Sequence, residues 1–225
     1  MTEDQWLACT DSRRMLEVFR GTRLDPRLRR FAVECCRRVR HLIVEEVFRV
    51  AADAGEAFAE DPRNEKSTIP PMAMAASEAC RHLRRYEITA ERHQLRAART
   101  ARATCSSTDW NAAFNAVREA AQAVNVADAD CCGPIELQHQ AALLRCIFGP
   151  LPFREIVFDL AWLTPSVLSI ARRAYDEWDF TALPVLADAL ADARCDNEDL
   201  LRHCRERGLA HCRGCWILDL LLQKG

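Results

Sequence analysis

Pro26-Arg27-Leu28-Arg29-Arg30-Phe31-Ala32-Val33-Glu34-Cys35-Cys36-Arg37-Arg38-Val39-Arg40-His41-Leu42-Ile43 decides the fold class. Leu28, Phe31, Ala32, Cys35, Val39, Leu42 and Ile43 recur at intervals of three and four, the period of one helix face. Arg27, Arg30, Arg37 and Arg38 fall mostly off that stripe. Asp25 ahead of Pro26 places a capping side chain before an N1 proline, so the helix start is written in the residues. The pattern predicts helix onward through Val47, Phe48 and Phe58 to the vicinity of Asp61-Pro62.

The same signals recur on either side. Thr2 and Gln5 have capping-box spacing, Asp11 can cap a helix carrying Leu16 and Phe19, and Gly21 suits a helix end. Residues 62–71, closed by Pro70-Pro71, predict a loop or linker. From Met72 to about Val126 the chain is rich in Ala and Arg, which favours long helices with thin apolar faces. Ser106-Ser107-Thr108-Asp109 can cap a new helix there, and Cys131-Cys132-Gly133-Pro134 marks a second break. Beyond it, Leu137, Ala141, Leu144 and Phe148 form another stripe, which Gly149-Pro150-Leu151-Pro152 must end. Ile156-Val157-Phe158 can form a brief extended piece, Thr164-Pro165 opens a further helix, Asn197 or Asp196 caps one that Gly208 ends, and Gly214 precedes the last. The expectation is an all-α protein, an array or bundle of short and medium helices with at most one small strand pair. It divides into an N-terminal helical part (1–61), an Ala/Arg-rich middle (62–134) and a C-terminal helical part (135–225) within one compact unit.

Composition narrows the function classes. Of 225 residues, 49% are hydrophobic, enough for a true core, and 28% are charged with a formal net charge of only −2, which argues against a dedicated nucleic-acid binder. Neither a membrane span nor a signal peptide is visible, so a cytoplasmic setting is expected. Twelve cysteines then read as reduced, largely buried thiols rather than a disulfide framework. The adjacent pairs Cys35-Cys36 and Cys131-Cys132 agree, because neighbours on a helix diverge by about 100°.

Chemistry concentrates at the C-terminus, where His203, Cys204, His211, Cys212 and Cys215 are candidate metal ligands. Zinc needs four N/S donors, commonly as two close pairs, and Cys212-x-x-Cys215 is one acceptable pair. His203 and Cys204 are neighbours and do not converge, so the preferred assignment puts Cys204 and Cys215 in the core and the histidines at helix ends. Thiol-redox chemistry at Cys212, near the start of the last helix, lacks the βαβ context of thioredoxin-like proteins. No Gly-x-Ser-x-Gly, His-Glu-x-x-His or P-loop occurs, and Cys35-Cys36 with His41 on one helix is no convincing dyad, so no catalytic or cofactor-binding residue is assigned. Arg81, Arg84, Arg85, Arg92, Arg96, Arg99 and Arg102, with a second group at Arg27, Arg29, Arg30, Arg37, Arg38 and Arg40, are the one argument for nucleic acid. With 7% aromatics there is no base-stacking platform.

Trp6-Leu7-Ala8-Cys9-Thr10-Asp11, Phe31-Ala32-Val33-Glu34-Cys35-Cys36-Arg37-Arg38, Ala161-Trp162-Leu163-Thr164-Pro165, His203-Cys204-Arg205 and Arg213-Gly214-Cys215-Trp216 resemble a paralogous family of planctomycete-type bacterial proteins. The Ala-rich middle lies outside that pattern, and the resemblance implies no activity, cofactor or site residue. Family members read His-Val-Arg-Gly-Cys where this chain has His211-Cys212-Arg213-Gly214-Cys215, and Asn-Pro-Phe where it has Pro150-Leu151-Pro152-Phe153. The first departure implies that the Cys-x-x-Cys spacing is accidental. The sequence thus points to a non-enzymatic helical module that binds another protein or mediates assembly. The alternatives are a C-terminal zinc or thiol-redox site and, behind it, nucleic-acid binding through the Arg-rich faces.

Overall fold

Capped amphipathic segments build an all-α protein. The computed structural model describes residues 1–21, 26–61, 65–106, 108–124, 134–150, 152–206 and 211–224, the side chains of 65–69 and 88–89 excepted. Expectations resting on Asp25, Pro62, Ser107, Cys131, Cys132, Gly133, Leu151 and Gly208 lie outside the described residues. Among those described there are twelve α-helices, four 3₁₀ turns and no strand, so Ile156-Val157-Phe158 forms no strand pair. None of the helices is long and apolar enough to cross a membrane. Glu3–Ala141 and Ala142–Gly225 form two compact units.

The first unit holds α1 (Glu3–Ala8), α2 (Ser12–Leu16), α3 (Pro26–Arg38), α4 (Glu46–Glu60), α5 (Glu65–Thr89), α6 (Arg92–Thr104), α7 (Asp109–Val124) and the first half of α8 (Pro134–Phe148). Asp11 caps α2 as expected, its carboxylate accepting from the Arg13 N–H at 3.0 Å. Thr108 does the same for α7, accepting from the Asn111 N–H at 3.2 Å. The continuous helix expected from Leu28 to Phe58 is instead two. It breaks after Arg38, makes a 3₁₀ turn at Arg40–Leu42 and restarts at Glu46. Across the break Val39 and Ile43 stay in the core, while Leu42 is half-buried. The loop expected at 62–71 is also corrected, since Pro70 and Pro71 lie inside α5. Proline's fixed φ is itself helical, so the pair removes two ladder donors near the helix start without ending it.

Alanine lines the contact between α6 and α7. α6 and α7 pack against each other, and Ala97, Ala98, Ala101, Ala112, Ala113, Ala116 and Ala120 are all at most 1% exposed. Gly55 of α4 lets that helix close on Thr104 of α6. Arg29 of α3 is buried beside them. It donates from Nε to Asp109 at 2.9 Å and from one terminal nitrogen to the Thr104 and Ser106 carbonyls at 2.6 and 2.7 Å. A guanidinium thus satisfies orphan carbonyls where α6 ends and a carboxylate where α7 begins. Arg38 likewise forks onto buried Glu136, Arg40 pairs with Asp53, and Arg96 with Glu119, so much of the positive charge grouped in the sequence is locally neutralised.

The second unit holds the end of α8, α9 (Pro165–Asp176), α10 (Leu183–Asp192), α11 (Glu198–Arg205) and α12 (Trp216–Leu221). Thr164 Oγ1 accepts from the Val167 N–H at 3.3 Å, and Asn197 Oδ1 from Asp199 and Leu200 at 3.1 and 3.3 Å, as their cap positions predict. Gly149 stops α8 at φ +54°. Leu144, Ile147, Phe148, Leu183, Leu186, Leu190, Ile217 and Leu218 fill the core.

Candidate metal centre

Three segments of the second unit converge on one small volume. The last turn of α8 supplies Cys146, the last turn of α11 supplies His203, and the strap before α12 supplies His211 and Cys215. One ligand atom from each lies within 4.8 Å of all the others. Cys146, His203 and Cys215 are buried and His211 is mostly so. Two spacings are known directly: His203 Nε2 to Cys215 Sγ at 3.3 Å and Cys146 Sγ to His211 Nδ1 at 3.8 Å. A tetrahedral zinc with ordinary Zn–S and Zn–N bonds holds a sulfur and a nitrogen ligand about 3.5 Å apart. Both spacings straddle that value.

Local sequence explains the strap. Cys212-Arg213-Gly214-Cys215 closes as a four-residue turn, the Cys215 N–H donating to the Cys212 carbonyl at 3.1 Å. Gly214 stands at its third position with φ +85°, where a type II turn requires glycine. The turn sets Cys215 at the N-cap of α12 and lets Trp216 stack edge-on against His203, ring centroids 5.6 Å apart. His203 in turn meets His211 edge-on at 4.9 Å. Arg213 points away, over the Trp178 ring at 4.7 Å.

The electrostatics follow from burial. Burial pushes the Cys146 and Cys215 thiols well above the ordinary range and pulls the His211 imidazole down to about 4. Against that trend, the Cys212 backbone N–H favours a Cys146 thiolate, and His203 favours one at Cys215. Without a cation, the Cys146 and Cys215 thiols and the His211 imidazole are therefore held neutral near pH 7; with a divalent cation, two thiolates and two neutral imidazoles sum to zero charge, the composition a buried site tolerates best.

Of the five candidates read from the sequence, the structure brings His203, His211 and Cys215 together and leaves two outside the group. Cys204 diverges from His203 on α11, as neighbours must, and its thiol is buried and pushed up by desolvation. Cys212 is 3% exposed and its Sγ lies 3.9 Å from that of Cys146. The residue that sequence reasoning missed is Cys146. It sits in Leu143-Leu144-Arg145-Cys146-Ile147-Phe148, where a lone cysteine is indistinguishable from core packing. No family model, curated protein or solved structure matches the chain.

Proposed function

We propose that the protein is a non-enzymatic helical module whose C-terminal unit is fastened by one structural zinc ion on Cys146, His203, His211 and Cys215. The observation that carries this is the convergence of four N/S donors from three segments within 4.8 Å of one another. Four protein ligands close a tetrahedron, which is the hallmark of structural rather than catalytic zinc. Burial supports the same reading, since a hydrolytic metal keeps an open coordination position for water. The ten described cysteines are thiols, which suits a reducing, cytoplasmic setting.

The test is metal analysis of reduced, tag-free protein after zinc reconstitution and desalting. One zinc per chain is expected for the wild type and for Cys204→Ser. Cys146→Ser and Cys215→Ser should lose it, and a chelator should lower the melting temperature of the wild type but not of those two variants. Zinc-free wild type, or full zinc retention by Cys146→Ser, refutes the proposal.

A further inference from the structure

A third sulfur stands beside the two in the four-ligand group without belonging to it. Cys212 Sγ is 3.9 Å from Cys146 Sγ, yet Cys212 is not among the four residues whose ligand atoms are mutually close. A closed tetrahedron has no use for it. A thiol at van der Waals distance from a metal-bound thiolate is placed to trap that thiolate once it is oxidised. Cys212 also begins the turn whose last residue, Cys215, is a ligand, so a bond made at Cys212 pulls directly on the strap. Cys204 is buried on the same helix as His203, but no comparable sulfur contact joins it to Cys146.

Resting on the zinc reading above, we propose that Cys146 and Cys212 form a peroxide-sensitive pair that releases the metal on oxidation. The zinc-bound Cys146 thiolate attacks hydrogen peroxide, breaking the O–O bond. Cys146 becomes a sulfenic acid, hydroxide leaves, and zinc loses one ligand. The Cys212 thiol then attacks the sulfenic sulfur, its proton leaves with the displaced hydroxyl as water, and the Cys146–Cys212 disulfide forms. One thiolate, one thiol and one peroxide thus give one disulfide, one water and one hydroxide. Two thiols are oxidised by two electrons and peroxide is reduced by two. The sulfurs close from 3.9 Å to the bonded distance of about 2.05 Å, an approach of about 2 Å between two neighbouring side chains. A dithiol reductant reverses the bond and restores the site.

The experiment compares zinc-loaded wild type, Cys212→Ser and Cys212→Ala, with zinc content measured before oxidation. Each is treated with hydrogen peroxide, zinc release is followed with a chromogenic chelator, and disulfides are mapped by peptide mass spectrometry. The wild type should release its zinc, show a Cys146–Cys212 link, and rebind zinc after dithiothreitol. Both variants should bind zinc when reduced, form no link to Cys146 at position 212, and lose rebinding because an unresolved sulfenic acid proceeds to sulfinic acid. Reversible release by either zinc-loaded variant overturns the switch while leaving the zinc site standing. So does a wild-type disulfide that joins Cys146 to Cys215 instead, or zinc that stays bound under peroxide. Absence of zinc from the reduced wild type overturns the underlying reading and the switch with it.

Discussion

Replacing Gly149 with alanine tests how the end of α8 is joined to the metal centre. Gly149 lies at φ +54°, a conformation that costs an L-residue roughly 1–2 kcal/mol. A Cβ there would stand 2.7 Å from the Cε2 and Nε1 atoms of Trp216 and 2.8 Å from Cδ1. Ordinary carbon contacts begin near 3.5 Å, so the indole must retreat by about 1 Å. Trp216 is 3% exposed and braced against His203, so the retreat disturbs packed neighbours, at roughly 1–3 kcal/mol for overpacking. Gly149→Ala should therefore destabilise the second unit by about 2–5 kcal/mol in zinc-free protein, and weaken zinc binding by displacing the His203 ring. Gly21→Ala is the control. Its φ is +79° but none of the described residues lies within 4 Å of the new Cβ, so the backbone cost dominates. Urea unfolding followed by far-ultraviolet circular dichroism, with tryptophan fluorescence on the same samples, measures both. If the two variants lose the same stability within about 0.5 kcal/mol, the Trp216 contact does not carry the argument.

Zinc-free protein should lose stability as pH falls from about 6.5 to 4. Burial holds the His211 imidazole at about 4 in the folded state, so the unfolded chain binds the proton first; the contribution is whole above 6.5, spent below 4, and at most about 3 kcal/mol. Urea midpoints across that range check it, and an unchanged slope in His211→Gln would show that another group is responsible. Arg29→Ala should cost about 3–5 kcal/mol, because it strands Asp109 and two carbonyls in the interior; a loss under about 1 kcal/mol would contradict the buried network. Gly55→Ala would stabilise an unobstructed helix by up to about 1 kcal/mol, but here the new Cβ lies 2.5 Å from Thr104 Cβ and 3.1 Å from its carbonyl carbon. Destabilisation in thermal melts is the expected sign, and a gain would refute the close approach of α4 and α6.

The helix ends were legible where one residue carries the signal. Asp11, Thr164 and Asn197 each cap the helix their side chains announce, and Gly149 and Gly214 adopt the positive φ their positions imply. Where tertiary packing sets the boundary, the sequence misleads. Nothing between Val39 and Glu45 breaks helical periodicity, and Glu45 makes no side-chain cap, yet the chain turns there with Val39 and Ile43 both buried. Pro70-Pro71 errs the other way, since a breaker's reputation outweighed a φ that fits a helix. The candidate site divides on the same line. The divergence of His203 and Cys204 follows from helix geometry and was readable. The fourth ligand was not, because Cys146 is distant along the chain and sits in an apolar run. Cys212 matched a motif by spacing, yet the fold gives its place in the ligand group to Cys146.

The position of the candidate ligands ties the proposed metal to the fold. α11 runs Glu198–Arg205 and α12 runs Trp216–Leu221, both far shorter than a helix that persists alone in water. Each therefore depends on what it docks against. His203 sits in the last turn of α11, Cys215 stands at the N-cap position of α12, and Cys146 lies in the last turn of α8 before Gly149 turns the chain. A cation shared by these three ends would fix the segments where helix hydrogen bonding is weakest. Burying Cys146 and Cys215 as neutral thiols would pack the same volume with far less constraint, and would give no reason for two histidines to meet them. Two imidazoles meeting two thiols at N···S spacings of 3.3 and 3.8 Å is the feature that core packing alone leaves unaccounted for.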